Sequence, residues 1–204
     1  MDVISAIDEL IDDIYSLHNE FEGEYLQERN SAFNLKKVGF TEIKDNAEFH
    51  KMINSYIAQL RPFMLVNSIE MSYNSKENKL SCQIKDRIKI LKTIDKKIDY
   101  YAFKESKISK IPVAKGLNDF FGVRIISDGV NDNLEKIMTM LERKKNEKII
   151  SRYYHRDDGK YHAIHCYVKK DNHAFPWELQ IWDTSDERAN FADHDRHEEE
   201  KNFR

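Results

Sequence analysis

Two periodicities divide this chain, and they restrict its fold more than any other feature. Up to about residue 64 the apolar side chains recur at three- and four-residue intervals. Ile4, Ile7, Leu10, Ile11, Ile14 and Leu17 fall on one helical stripe, and Asp8, Glu9, Asp12 and Asp13 fill the other face. Phe49, Met52, Ile53, Tyr56, Ile57 and Leu60 form a second stripe over about 47–64, with Pro62 near the helix end. From residue 79 the pattern changes. Leu80, Cys82 and Ile84 alternate with polar residues, as in a half-buried strand. A helix is expected over 91–103, a short apolar strand over 122–126, and a helix through Leu134, Ile137, Met138 and Leu141, capped by Asn131 or Asp132. Three more strands are expected over 149–154, 161–168 and 177–182, with Asp158-Gly159 turning between the first two. Residues 74–78 read as a loop, and Thr184 as the cap of a last polar helix. The expectation is an α+β fold: one mixed β-sheet of about five strands with flanking helices. A helical segment over 1–75 precedes a sheet-bearing part over 76–204, the two forming one compact unit.

Composition removes several classes of function. Charged residues make up 34% of the chain, yet the net charge is only -3, so global charge gives no argument for nucleic acid. Cys82 and Cys166 stand in no metal or redox spacing, which points to buried, inert thiols and a cytoplasmic setting. The sequence from Met1 has no basic region of a secretory signal, and no apolar run approaches the ~20 residues of a membrane span.

Four clusters carry potential chemistry. Arg87 and Lys89 lead from a strand end into a helix bearing Thr93 and Lys97. Lys89, Thr93 and Lys97 are four apart, a spacing that suits a polyphosphate cradle or merely a solvated basic face. Asp119 stands at the mouth of the strand that carries Arg124. It could bind Mg²⁺, or pair with Arg124 as a structural ion pair. On the strand from Tyr161, period two puts Tyr161 and His165 on one face and His162 on the other, so the two histidines cannot easily share a metal. Glu178, Gln180 and Trp182 share a face opposite Leu179 and Ile181, and such a polar face is either solvated or occupied by a ligand.

In this order the clusters resemble the synthetase domain of the RelA/SpoT family, whose pattern runs R-x-K-x3-[ST]-I-x2-K, D-x2-G-x-R, Y-x-[SA]-x-H and E-[ILV]-Q-[IL]. Every position of it is matched between about residues 80 and 200. The resemblance implies a nucleotidyltransferase-like synthetase domain that transfers the β,γ-pyrophosphate of ATP to a ribose 3′-hydroxyl. It also implies roles. Arg87 and Arg124 would sandwich adenine, Lys89, Thr93 and Lys97 would hold the phosphates, and Asp119 and Glu178 would hold Mg²⁺. Glu178 would also take the hydroxyl proton, while Tyr161, His165 and Gln180 would receive the acceptor.

Departures from the pattern lie on the acceptor side. Lys160 replaces the usual glycine before Tyr161, Arg156 and Asp157 stand where a Pro-Lys pair is expected, and Trp182 replaces an arginine. Three readings follow. The acceptor is GDP or GTP, giving a (p)ppGpp-type alarmone; or it is the 3′-CCA end of tRNA, making the chain a translation-blocking toxin neutralised by an antitoxin; or the chain is a non-catalytic nucleotide-binding module. Arg29, Lys36 and Lys37, or Arg143, Lys144, Lys145 and Lys148, could meet a tRNA backbone or be ordinary solvated charges. His194 and His197 are spaced for a metal, and Glu198–Glu200 could dock a basic partner. A homo-oligomer is compatible with all three readings.

Overall fold

The computed structural model describes residues 2–27, 33–69 and 82–193. Helix α1 (Val3–Gln27) begins where the Asp2 carboxylate accepts from the backbone N–H groups of Ile4 and Ser5, both at 3.0 Å. The short helix α2 (Phe40–Ile43) precedes α3 (Ala47–Val66), which Asn46 caps by accepting from Phe49 N–H. Pro62 lies inside α3, near its C-terminal end as expected. Strand β1 (Cys82–Ile88), α4 (Leu91–Glu105) and the single turn α5 (Val113–Gly116) lead to β2 (Phe121–Ser127). Helix α6 (Leu134–Asn146) and strands β3 (Ile150–Asp157), β4 (His162–Val168) and β5 (Trp177–Asp183) follow. A 3₁₀ turn, Thr184–Asp186, then runs on as helix to residue 193.

Among the described residues the strands form one five-stranded sheet in the order β1-β2-β5-β4-β3. Only β2 and β5 run parallel, so the sheet is mixed and the fold is α+β, as the periodicities predict. Its inner face carries Ile84, Val123, Ile125, Ile164, Cys166, Leu179 and Ile181. These belong to one apolar cluster with Ile7, Leu10 and Ile14 of α1, Tyr56 and Leu60 of α3, and Ile137 and Leu141 of α6. Trp177 anchors this layer: its indole N–H donates to the Tyr56 hydroxyl at 2.9 Å. Cys166 is buried in the cluster, and burial pushes its thiol well above its usual range.

Two expected caps are displaced. Neither Asn131 nor Asp132 caps α6, because Asn133 holds that position. Asn131 is drawn instead to the end of β5, donating to Asp183 and Asp186. Asp183, not Thr184, caps the terminal turn, because its carboxylate reaches the N–H and hydroxyl of Ser185. The cations of α6 are ion-paired, although Arg143 and Lys145 stay exposed. Lys144 is buried with its ammonium on Asp8 and Asp12 of α1, Arg143 pairs with Asp8, and Lys145 with Glu142. The acids of α1 thus meet the cations of α6. Arg29, Leu80, the 74–78 loop, His194, His197 and Glu198–Glu200 lie outside the described residues.

Candidate active site

The outer face of the sheet is polar and built in transverse rows, because residues paired across strands project to the same side. The first row reads Arg87, Gly122, Glu178, Tyr167 and Arg152. The second reads Lys85, Arg124, Gln180, His165 and Tyr154. A third pairs Gln83 with Ile126, Ile126 with Trp182, and Ala163 with Arg156. Residues scattered over about one hundred positions of sequence, from Gln83 to Trp182, therefore converge on one surface. His162 faces the other way, as period two requires, and its Nδ1 lies 3.2 Å from Asp157.

Asp119 sits just before β2, three residues ahead of Gly122 in the first row. Its carboxylate pairs with both Lys89 and Lys97, the latter at 2.9 Å. Lys89 precedes α4 and is steered by its own backbone N–H, which donates to Phe120 O at 2.9 Å. Lys97 also donates to Gly116 O at 3.0 Å. Gly116 packs where a Cβ would meet the Phe40 and Tyr101 rings. Burial would push Asp119 up, but the two ammonium groups override it and hold the carboxyl at about 2. Burial brings Lys89 down to about 8, with Asp119 offsetting only part of the shift. Burial also opposes the charge on Lys97, but Asp119 outweighs it and raises that group. The structural alternative, an Asp119–Arg124 pair, does not form. Thr93, on the first turn of α4, is exposed.

Glu178 is buried at the centre of the first row. Its Oε1 accepts from the Tyr167 hydroxyl at 2.8 Å and lies 3.1 Å from His165 Nδ1, while Oε2 accepts from Gln180 Nε2 at 2.9 Å. Burial would raise its pKa, but the His165 contact and the Tyr167 hydrogen bond carry it below the ordinary carboxylate value. Asp119 is close enough to oppose that shift. The Tyr154 ring stacks on the imidazole at 4.9 Å and 7°. Tyr154, Tyr167 and Arg152 complete this site, and the sequence reading misses them. Their signal is period two: each lies in register with His165 or Glu178.

Arg124 is half-buried. Its Nε and Nη2 both donate to Gln180 Oε1, at 3.1 and 3.0 Å, and its guanidinium lies over Trp182. Burial and the nearby Arg87 both lower its pKa. Tyr161 is covered: its ring meets Trp182 edge-on, and the Arg156 guanidinium lies over it at 4.6 Å. Burial pushes its phenol up to about 12. Arg156 is in turn matched by Asp158 at 2.5 Å and Asp193 at 3.8 Å. Among the described residues no three His, Cys, Asp or Glu side chains gather into a metal cage, and no helix is long and apolar enough to cross a membrane.

No protein-family model and no curated protein matches the chain. Among solved structures it is similar to small alarmone synthetase 2 from Bacillus subtilis, with 18% identity, a TM-score of 0.39, and 72% of this chain covering 77% of that one. It is also similar to small alarmone synthetase 1 from Bacillus subtilis bound to its product pppGpp, with 14% identity, a TM-score of 0.41, and coverage of 76% and 80%.

Proposed function

We propose that this chain is an ATP-dependent pyrophosphokinase that moves the β,γ-pyrophosphate of ATP to the ribose 3′-hydroxyl of a guanosine nucleotide. One observation carries the reading. Asp119, gripped by two lysines, and Glu178, on the polar row beside Gly122, are near enough for the charge of Asp119 to act on Glu178. Two acids beside two phosphate-binding cations form a phosphoryl-transfer arrangement, in which positioning and charge neutralisation do most of the catalysis.

The donor side supports the same reading. Arg87 lies directly across from Gly122, and Arg124 is the next same-face residue on β2, so the missing side chain leaves a slot flanked by two guanidinium groups. A planar base would fit between them, with the phosphates toward Lys89 and Lys97. Asp119 and Glu178 would hold Mg²⁺. The fit is chemical: this ion takes one or two carboxylates and completes its shell with phosphate oxygens, and the described residues offer two acids here and no closed cage. When bound, Mg²⁺ would offset the charge developing on the transferred group. The acceptor oxygen attacks the β-phosphorus, the bond from that phosphorus to the α–β bridging oxygen breaks, and AMP departs. Glu178, already ionised at neutral pH, takes the hydroxyl proton. His165, Tyr167 and Gln180 hold that carboxylate in place.

A second acceptor deserves a place in the test. Arg156, on the acceptor side, is matched by Asp158 and Asp193. That leaves less positive charge for the 5′-phosphates of GDP or GTP, and favours a nucleotide at the 3′ end of tRNA. Supplying γ-labelled ATP and Mg²⁺ with GDP, GTP or bulk tRNA in turn separates the two. Label on GDP or GTP supports the alarmone reading, and label on tRNA alone replaces it. Label on none, with ATP still bound, means a nucleotide-binding module.

A further inference from the structure

We infer that Trp182 is a positioning residue for the donor nucleotide: it backs the Arg124 guanidinium so that the opposite face of that cation is presented, flat and fixed, to the base. The inference rests on the proposed donor site but concerns a residue outside the matched motifs, at a position where the resembling family carries arginine.

The geometry is specific. Arg124 Cζ lies 3.8 Å from the centroid of the Trp182 ring, a close cation–π distance. In the guanidinium plane, Nε and Nη2 both donate to the single oxygen of Gln180. The ring contact holds the guanidinium from one side and the forked hydrogen bond restricts its rotation. Phe191, on the terminal helix, also approaches, with its ring centroid 5.2 Å from Cζ. The Trp182 and Phe191 centroids are themselves only 5.2 Å apart. A cation sandwiched between two rings would separate them by nearly the sum of its distances to each. Both rings therefore lie on one side of Arg124, and neither covers its other face.

Trp182 is itself closely packed. It is fully buried, in a small cluster with Ile126, Tyr161 and Ala163. A free arginine side chain has many rotamers to lose on binding. Holding it before the ligand arrives removes part of that cost from binding. A tryptophan here gives up one cation of the resembling pattern and supplies a rigid back wall instead. The arrangement is a stack of Trp182, Arg124 and base, with Arg87 beyond.

The test uses α,β-methylene-ATP, which cannot be cleaved at the bond the reaction breaks, with Mg²⁺ and the full chain. Affinity is measured by calorimetry for the wild type, Trp182→Phe and Trp182→Leu, with inorganic tripolyphosphate as a probe that lacks a base. Weakening by about 3-fold for Phe and about 10-fold for Leu is expected for the nucleotide, following the loss of cation–π contact, with tripolyphosphate bound alike by all three. Should the leucine variant fail to fold, the phenylalanine variant and the wild-type emission still decide. Nucleotide should change tryptophan emission in the wild type and not in Trp182→Phe, where only Trp177 remains. Equal nucleotide affinity in a folded Trp182→Phe, or an emission response that survives in it, overturns the inference. A wild type that binds tripolyphosphate but not the nucleotide analogue also overturns it, and removes the proposed function with it.

Discussion

Tyr167 donates its hydroxyl to Oε1 of Glu178 at 2.8 Å, from the position directly beside it on the neighbouring strand. Tyr167→Phe keeps the ring and removes that donor. Turnover should fall about 10-fold, as for loss of one hydrogen bond to a charged group, with stability changed by about 1 kcal/mol. Labelled-ATP turnover and urea melts check both. Unchanged turnover would mean that His165 and Gln180 alone orient the carboxylate.

Lys97 and Asp119 should prove coupled. Asp119→Asn leaves two ammonium groups facing each other without their shared carboxylate, and should cost about 3–5 kcal/mol. Lys97→Met leaves Asp119 still paired with Lys89 and should cost about 2 kcal/mol. The double variant should cost less than the sum by about 1–3 kcal/mol. Additive urea-melt energies would show that the pair does not interact in solution.

Gly122→Ala separates folding from binding. A Cβ at this position would come no closer than 4.0 Å to the Arg87 side chain. The backbone there is ordinary extended strand, so alanine should be neutral or add up to about 1 kcal/mol. The added methyl nevertheless projects beside the Arg87 side chain, into the proposed slot. Nucleotide affinity should drop while the melting temperature holds or rises. Full affinity in this variant would place the base elsewhere.

Much of this arrangement is legible in the chain, because strand alternation is a local property. It places Glu178, Gln180 and Trp182 on one face and sends His162 away from His165. What it lacks is the order of strands. Period two cannot reveal that β5 lies between β2 and β4, and only that order sets Glu178 beside both Gly122 and Tyr167. An aromatic residue such as Tyr167 or Tyr154 reads equally well as core. The spacing of four also misleads at Lys89, which lies before α4. It reaches Asp119 through a backbone link to Phe120, and Thr93 remains in solvent. Arg143 and Lys144 look free in sequence because the α1 acids they meet are more than a hundred residues away.

His18 gives the fold a pH dependence remote from the site. It is fully buried, its Nε2 lies 3.0 Å from Phe175 O, and its ring meets Trp177 edge-on. Burial lowers its pKa to about 4 from an ordinary 6.5. The unfolded chain therefore binds the proton more readily between these values. The stability from neutral His18 is present above about pH 6.5 and is lost as pH falls through 4. Between pH 7 and 5 the loss should be about 2 kcal/mol. Urea melts at the two values should show it in the wild type and much less of it in His18→Gln. An equal loss in that variant would assign the effect to other groups.

The identity of the nucleotide left behind tests the central claim most directly. A pyrophosphokinase releases AMP, whereas an ordinary kinase or ATPase releases ADP. With ATP, Mg²⁺ and a competent acceptor, AMP should appear one-for-one with pyrophosphorylated acceptor, and Glu178→Gln should suppress both while ATP still binds. Release of ADP, or AMP formation at near-normal rate in Glu178→Gln, would contradict the account.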